Sequence, residues 1–468
     1  MIKKIFFLTL ISSNIAFSQI SSLDGTFAIN GIYTQNESSK QWDNSKLLQL
    51  DDGSLYFIRQ RTNSVTNKEE DIITKLTPNG NIDTSFGVNG EINLGYNVAD
   101  NGLAMRLQND GKLIVAGGVI DTKIMRILPT GQVDLTFGNN GKTTLMGSGT
   151  NSTFDNQNLL IQGDKIIVYT SIPDNKIFRL NSDGTIDSSF GLNGSASTIA
   201  DQIFIDSSKN IVGLKGVSNN QYSIQKFDNN GQPLTNFGIS GILNITTSRN
   251  FDSIFQAYLD NDDNIIFSAG SNDGVLYKIN SDGNFDNNFV FDFVSHPILI
   301  TTINKVGDLY YIGGAEVDNN NELKSLFISA VNQLGKLSSK FSYYVEPNLN
   351  LKFIESMVVN PNNILVSGSF SDVNNSKKFV AKYNTVASLS TVEKSRPENF
   401  FVENPVSTKL NYISDRKVQS INLFSIDGRF LKKLNSDNND VSDLSKGAYM
   451  IQIQFQDGEL VNKKILKK

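Results

Sequence analysis

Leu76-Thr77-Pro78-Asn79-Gly80-Asn81-Ile82-Asp83-Thr84-Ser85-Phe86-Gly87-Val88-Asn89-Gly90 is the stretch on which the fold turns. It returns as Leu128-Pro129-Thr130-Gly131, followed by Asp134, Phe137, Gly138 and Gly141, and again through Gly184, Asp187, Phe190, Gly191 and Gly194. Weaker copies pass through Gly231, Phe237, Gly238 and Gly241, then Gly283, Asp286 and Phe289, then Gly335 and Phe341. A half copy carrying Asp24, Phe27 and Gly31 stands near the start. Six steps lead from Phe27 to Phe341, about 52 residues each. A short apolar strand after an Asp, Asn or Gly turn keeps the same spacing. Its seven copies begin at Leu55, Leu113, Ile166, Ile211, Ile265, Leu309 and Ile364. A further apolar run, such as Ile124 to Ile127 or Ile177 to Leu180, precedes each block.

A unit of three or four short antiparallel strands at this period has the size of a propeller blade. One such sheet cannot cover its own two faces, so its neighbours must cover them. A linear array would leave open sheet faces and need special caps, and the sequence offers none. Instead the first copy holds only the second half of the block. The last unit, ending Phe379-Val380-Ala381-Lys382-Tyr383, holds only the first half. That division predicts ring closure, with the N-terminal segment adding the outer strand beside Phe379 to Tyr383. The expected fold is therefore all-β: a seven-bladed β-propeller over residues 19–387, with six or eight blades as alternatives. The blocks resemble the delta-60 repeat of bacterial exported proteins. The match is clear in three copies and departs at Leu234, at Ser338 and after Phe289. The resemblance implies a propeller-like fold and carries no activity.

The block residues read as structural. Phe27, Phe86, Phe137, Phe190, Phe237, Phe289 and Phe341 suit hydrophobic anchors between blades, each contributing roughly 1.5–3 kcal/mol by burial. Gly80, Gly131 and Gly184 suit positive φ in a hairpin turn. Asp24, Asp83, Asp134 and Asp187 can accept N–H groups of the following turn. Gly87, Gly138 and Gly191 complete the block. A residue present in nearly every repeat is explained by the repeat before it is explained by a site.

The two ends carry addresses. Residues 1–18 read as a secretory leader. Lys3 and Lys4 precede the apolar stretch Ile5 to Ile15, and Ala16-Phe17-Ser18 offers small residues before a cut at Ser18/Gln19. The apolar run is too short to span a bilayer. Residues 388–398 (SLSTVEKSRPE) read as a polar linker. Residues 399–468 hold 11 Lys/Arg and 8 acids, a net +3. The whole chain is −5, so loss of the two leader lysines leaves −7 and the stretch 19–398 carries −10. Such asymmetry points to two modules with different tasks. Within the tail, Tyr449 to Phe455 alternates with period two, and Ile421–Ser425 and Arg429–Leu434 flank Asp427-Gly428. A small Ig-like β-sandwich is expected. Asn404-Pro405-Val406-Ser407, the Gly428 turn, Leu444-Ser445-Lys446-Gly447-Ala448-Tyr449 and the end Lys463 to Lys467 and Lys468 resemble the type A sorting domain of type IX secretion. The resemblance implies the type IX machinery as partner and passage across the outer membrane of a Bacteroidota-type bacterium. It further implies tail removal, then release or attachment to surface lipopolysaccharide.

Composition removes many chemistries. With no Cys there is no thiol nucleophile, disulfide or thiolate metal site. His296 is the single imidazole, and no Gly-x-Ser-x-Gly elbow accompanies it, so it reads as a strand-end or surface histidine. The acidic balance repels phosphate backbones, which argues against nucleic acid. Asp260 to Asn264, Asn435 to Asp440 and Asp318 to Asn321 suit calcium by ligand type but lack EF-hand spacing, and read as turns. No cofactor is called for. Three functions stay open. The leading one is an exported, non-enzymatic binding module for a polysaccharide or protein, using exposed aromatics such as Tyr33, Trp42, Tyr96 and Tyr222. The alternative is a polysaccharide hydrolase or lyase with carboxylates at the channel mouth. The third is a passive surface scaffold.

Overall fold

The structure, a computed structural model, describes residues 18–35, 45–63, 65–66, 69–94, 103–118, 120–148, 158–217, 221–246, 254–269, 274–291, 297–318, 322–338, 341, 344–346, 351–370, 377–387, 400–402, 405–414, 417–425, 429–434, 438–456 and 460–468. The chain divides into two compact units, 1–388 and 389–468. Among the described residues there is no helix long and apolar enough to cross a membrane.

Seven antiparallel sheets make up the first unit among the described residues. Sheet 1 contains Lys46–Gln49, Leu55–Thr62, Glu69–Leu76 and Glu91–Asn93. Sheet 2 contains Ala104–Leu107, Leu113–Gly117, Thr122–Ile127 and Lys142–Leu145. Sheets 3 and 4 repeat this meander over Leu159 to Ser197 and Gln202 to Thr246. Sheet 5 has three strands among the described residues, Ile254–Leu259, Ile265–Ala269 and Val275–Ile279. In the blocks of sheets 1 to 4 the Gly after Phe (Gly87, Gly138, Gly191 and Gly238) takes positive φ and turns the chain back into the outer strand. Here Val290 occupies that place. Sheet 6 spans Ile298 to Val345, with Tyr344–Val345 as its outer strand among the described residues. Sheet 7 contains Leu351–Val359, Asn363–Phe370 and Lys378–Ala387.

The last strand of sheet 7 takes both of its partners on the outer side from the start of the chain. Ile32–Thr34 pairs with Phe379 to Ala381, as the half copies predict. Ser18–Leu23 pairs in addition with Tyr383 to Ala387. The sequence reading supplied one closing segment; the structure uses two. Ser18 and Gln19, expected at a leader cut, lie in this strand opposite Ala387 and Val386.

Burial follows the same cycle. One hydrophobic cluster lies between each successive pair of sheets. Phe86 sits in the cluster of sheets 1 and 2, Phe137 in that of 2 and 3, and Phe190 in that of 3 and 4. Phe289 and Phe341 serve the pairs 5–6 and 6–7. Phe27 joins Leu365 and Val380 of sheet 7 to Leu47, Leu55 and Phe57 of sheet 1, so the cycle closes. The first strands neighbour one another in the same order, Leu351–Val359 returning beside Lys46–Gln49. Phe237 is only half-buried, packed against the cluster of sheets 4 and 5.

In the second unit a four-stranded sheet contains Val418–Ser425, Phe430–Leu434, Gly447–Phe455 and Leu460–Lys467, and a two-stranded sheet contains Phe400–Val402 and Tyr412–Ser414. Ile421, Leu423, Ile451, Ile453 and Ile465 form its core with Val406 and Leu410. The lysine-rich end is itself a strand. Lys467 lies opposite Gly447, and the Val406 N–H donates to the Leu466 carbonyl at 2.7 Å.

Candidate functional site

The block residues come together as an interlocking joint rather than a reaction centre. Each block Asp accepts the N–H two residues on: Thr26 to Asp24 at 3.0 Å, Ser85 to Asp83 at 3.1 Å, Thr136 to Asp134 at 3.1 Å and Ser189 to Asp187 at 3.2 Å. The second carboxylate oxygen meets a cation from the preceding strand. The partners are Lys75 for Asp83 (3.0 Å), Arg126 for Asp134 (2.8 Å), Arg179 for Asp187 (2.9 Å) and Lys278 for Asp286 (3.3 Å). Lys382 takes this place for Asp24 across the closure, at 3.1 Å. Arg126 and Arg179 also lie over the Phe137 and Phe190 rings, 5.0 and 4.7 Å from their centroids. Arg126 and Arg179 then donate to turn carbonyls of the next repeat, Ser182 and Asn229. Gly87, Gly138 and Gly191 do the same through the backbone, to Thr130, Asp183 and Asn230 at 2.7–2.8 Å.

The turn glycines fit this joint tightly. Gly80, Gly131 and Gly184 have φ of 77°, 82° and 85°. A Cβ on Gly184 would fall 2.8 Å from the Phe137 ring, so its absence is what lets the previous repeat's anchor approach. The block cations went unnoticed in the sequence, although they stand eight residues before Asp83, Asp134, Asp187 and Asp286.

These joints titrate. The Ser189 hydroxyl, against the opposing effect of burial, and then the Ser189 N–H and Arg179 hold Asp187 below its ordinary value of 3.8. The Ser85 hydroxyl and Lys75 do the same for Asp83. A carboxyl whose folded value is depressed adds stability that is complete above its unfolded value and is lost as pH falls through the folded one. Thermal midpoints should therefore fall as pH drops below about 4. Asp187→Asn should lower the midpoint at pH 7 and flatten that fall. An unchanged pH profile in the variant would contradict the assignment.

The candidate binding site is the space ringed by the first strands. A cavity of about 660 Å3 lies against sheets 5, 6, 7 and 1, with Arg106 of sheet 2 reaching its wall. Its polar lining comes from Lys46, Gln49, Gln256, Thr301, Asn304 and Asn360. Two acids line it, Asp51 on the exposed turn and Glu355. Glu355 is committed to the fold. It pairs with Lys378 at 2.7 Å, their side chains 2% and 1% exposed, and accepts the Ser369 hydroxyl. Its other oxygen accepts the Ser45 N–H, stitching sheet 7 to sheet 1. Asn360 donates to Gln49 at 2.9 Å across the same seam. None of these channel residues carried a sequence signal, because facing side chains come from distant repeats.

Other expected residues sit elsewhere. Tyr222, expected as an exposed aromatic, is fully buried, 6.0 Å from Phe267 and 6.5 Å from Phe285. It follows Gln221 in a strand whose period-two alternation turns it onto sheet 5. Tyr33 is half-buried, edge-on to Phe57. Trp42, Tyr96 and His296 lie outside the described residues. Asp260 is no open calcium ligand. It accepts Lys305 at 2.8 Å and the Tyr310 hydroxyl at 2.7 Å, and caps its turn through the Asn264 N–H. Desolvation and Asp260 together push the Tyr310 hydroxyl up. Asp440 caps Ser442, and Asp318 pairs with Lys324. Among the described residues no three His, Asp or Glu group as a metal would need. In the sorting motif, Pro405 is exposed before the Val406 bridge, Gly447 opens its strand, and Tyr449 donates to the Ser445 carbonyl at 2.9 Å. Asn404 and Gly428 lie outside the described residues.

Two family models match the chain. Residues 404–468 match the secretion system C-terminal sorting domain. Residues 108–137, 164–190 and 265–289 match the domain of unknown function (DUF5122) beta-propeller. No curated protein matches the chain. Among solved structures it is similar to PorZ, an essential bacterial surface component of the type-IX secretion system of Porphyromonas gingivalis. The identity there is 10% and the TM-score 0.42, over 92% of this chain and 59% of that one. It is similar to the polysaccharide lyase Uly1 at 9% identity and TM-score 0.44, over 78% and 94%. A protein of unknown function from Bacteroides caccae follows at 12% and 0.33, over 66% and 83%. None of these likenesses transfers an activity. The chain is a β-propeller protein carrying a type IX sorting domain, which directs it to the cell surface or the medium.

Proposed function

We propose that the chain is a non-enzymatic binding module. Each of the seven sheets is one blade of a closed ring over residues 19–387, the linker 388–398 joins it to the sorting domain 399–468, and the ligand enters the central channel. The observation that carries this reading is the state of Glu355. A general acid or base must exchange its proton with a substrate. Glu355 is instead saturated by Lys378, Ser369 and Ser45 within the fold. Besides the exposed Asp51, the channel offers amides, hydroxyls and cations, a lining suited to recognition. Neighbouring blades hold such groups on rigid strands, which suits binding.

The test uses the full chain on a glycan array and in a hydrolysis and lyase screen. Binding without turnover is the expected result. Turnover that disappears when one facing pair of carboxylates is replaced would overturn the reading.

A further inference from the structure

We propose that the outer face of the four-stranded sheet in the second unit is the surface by which the export machinery reads the sorting domain. The partner that fits it is an acidic protein surface with an apolar centre. The inner face of this sheet supplies the core through Ile421, Leu423, Ile451, Ile453 and Ile465. Side chains alternate between faces along a strand, so the residues between these point outward. In an antiparallel sheet with one face in water, such places are ordinarily polar. Here a row of them is apolar. The register sets Phe430 opposite Phe424, Phe424 opposite Met450, and Met450 opposite Lys464. Ala448 and Leu466 form the adjoining pair. Phe430 is 54% and Leu466 48% exposed, and Phe424 and Met450 are half-buried. Phe430 meets Phe424 edge-on, with ring centroids 5.7 Å apart. The register shift beside Phe424 leaves Leu431 exposed as well. An apolar strip left in water across a whole sheet marks a contact surface, and aromatic side chains are the usual anchors of one.

Charge decides the kind of partner. The four strands hold Lys432, Lys433, Lys463, Lys464 and Lys467 and no acid. Lys464 ends the apolar row, and Lys433 stands opposite Asn422 in the next one; both are exposed. Cations at the margin of an apolar strip complement carboxylates on a partner and set its orientation. The stretch 19–398 carries −10. An acidic partner therefore attracts the tail and repels the cargo, a discrimination that attraction alone would not give. The motif residues, by contrast, are occupied in holding the domain together. Val406 is in the core and bridges Lys467, and Tyr449 lies opposite Ile465 and packs against that core. The motif builds the sandwich, and the outer row is left to be read.

Export of the full chain from a bacterium carrying a type IX machinery tests this, read as the fraction of protein reaching the surface and medium. Phe430→Ser/Leu466→Ser should lower that fraction at least fivefold, with the protein held inside the cell. Both side chains are exposed, so the melting midpoint of the purified chain should not move. Lys433→Glu/Lys464→Glu should lower export to a similar degree. Lys433→Arg/Lys464→Arg should export like the wild type, a contrast that a merely structural role would not produce. Should the serine pair melt early, the glutamate and arginine pairs decide alone. Wild-type export of the glutamate pair, or of a serine pair that melts normally, overturns the inference, as do equal losses in the glutamate and arginine pairs. Unchanged export with a smaller sedimenting mass in the serine pair would assign the face to a second copy of the chain instead.

Discussion

Replacing Glu355 with leucine should destabilise the propeller unit by about 3–5 kcal/mol, read as a lower urea midpoint of the full chain at pH 7. The substitution removes the carboxylate that meets the ammonium of Lys378, 1% exposed, at 2.7 Å. It also removes the acceptor of the Ser45 N–H at the seam between the last and first sheets. Charge burial, rather than loss of attraction, is the dominant cost. Lys378→Met should therefore cost a similar amount, and the double variant should recover most of the loss because both charges of the pair are then absent. A double variant as unstable as the sum of the two singles would show that the ion pair is not a coupled unit.

Phe190→Ala should cost about 3–5 kcal/mol in the same measurement. The ring is fully buried between sheets 3 and 4 and lies under the Arg179 guanidinium. Its other side presses on Gly231, where an added Cβ would fall 2.7 Å from the ring. The cavity left by alanine cannot collapse, because backbone forms one wall. Phe237 occupies the same place in the next block but is half-buried, and its block has Leu234 where the Phe190 block has Asp187. Its alanine variant should lose about half as much or less, since less apolar area leaves water. Equal losses at the two positions would contradict the view that these rings act through burial between sheets.

The period of the Phe and Gly markers made the architecture legible, because each marker answers to a local need: a turn at positive φ, an anchor, a cap. Closure was legible for a similar reason. The half block at Asp24 and Phe27 is complementary to the half unit ending at Tyr383, and Lys382 completes the ion pair with Asp24 that other blocks make within themselves. The second closing strand, Ser18–Leu23, was hidden because it overlaps the residues that read as a cleavage site. The channel was not legible at all. Lys46, Arg106, Asn304 and Glu355 are separated by up to about 310 residues, and only ring closure brings them to one wall. Tyr222 shows the opposite error, a lone aromatic read as exposed although its alternation in the strand places it in the core.

Closure of the ring is the claim on which the channel depends, and the absence of native cysteine makes it directly testable. Ser22 and Asn384 are antiparallel partners across the closing seam. Such partners have Cα atoms about 4.5–5.5 Å apart, within disulfide range. In the Ser22→Cys/Asn384→Cys full chain, mild oxidation should join the two thiols within one molecule. The product should run faster on a non-reducing gel and melt at a higher temperature than the reduced form. If both thiols instead remain free to alkylation in the folded protein, or link only between molecules, the two ends do not meet and the ring is not closed.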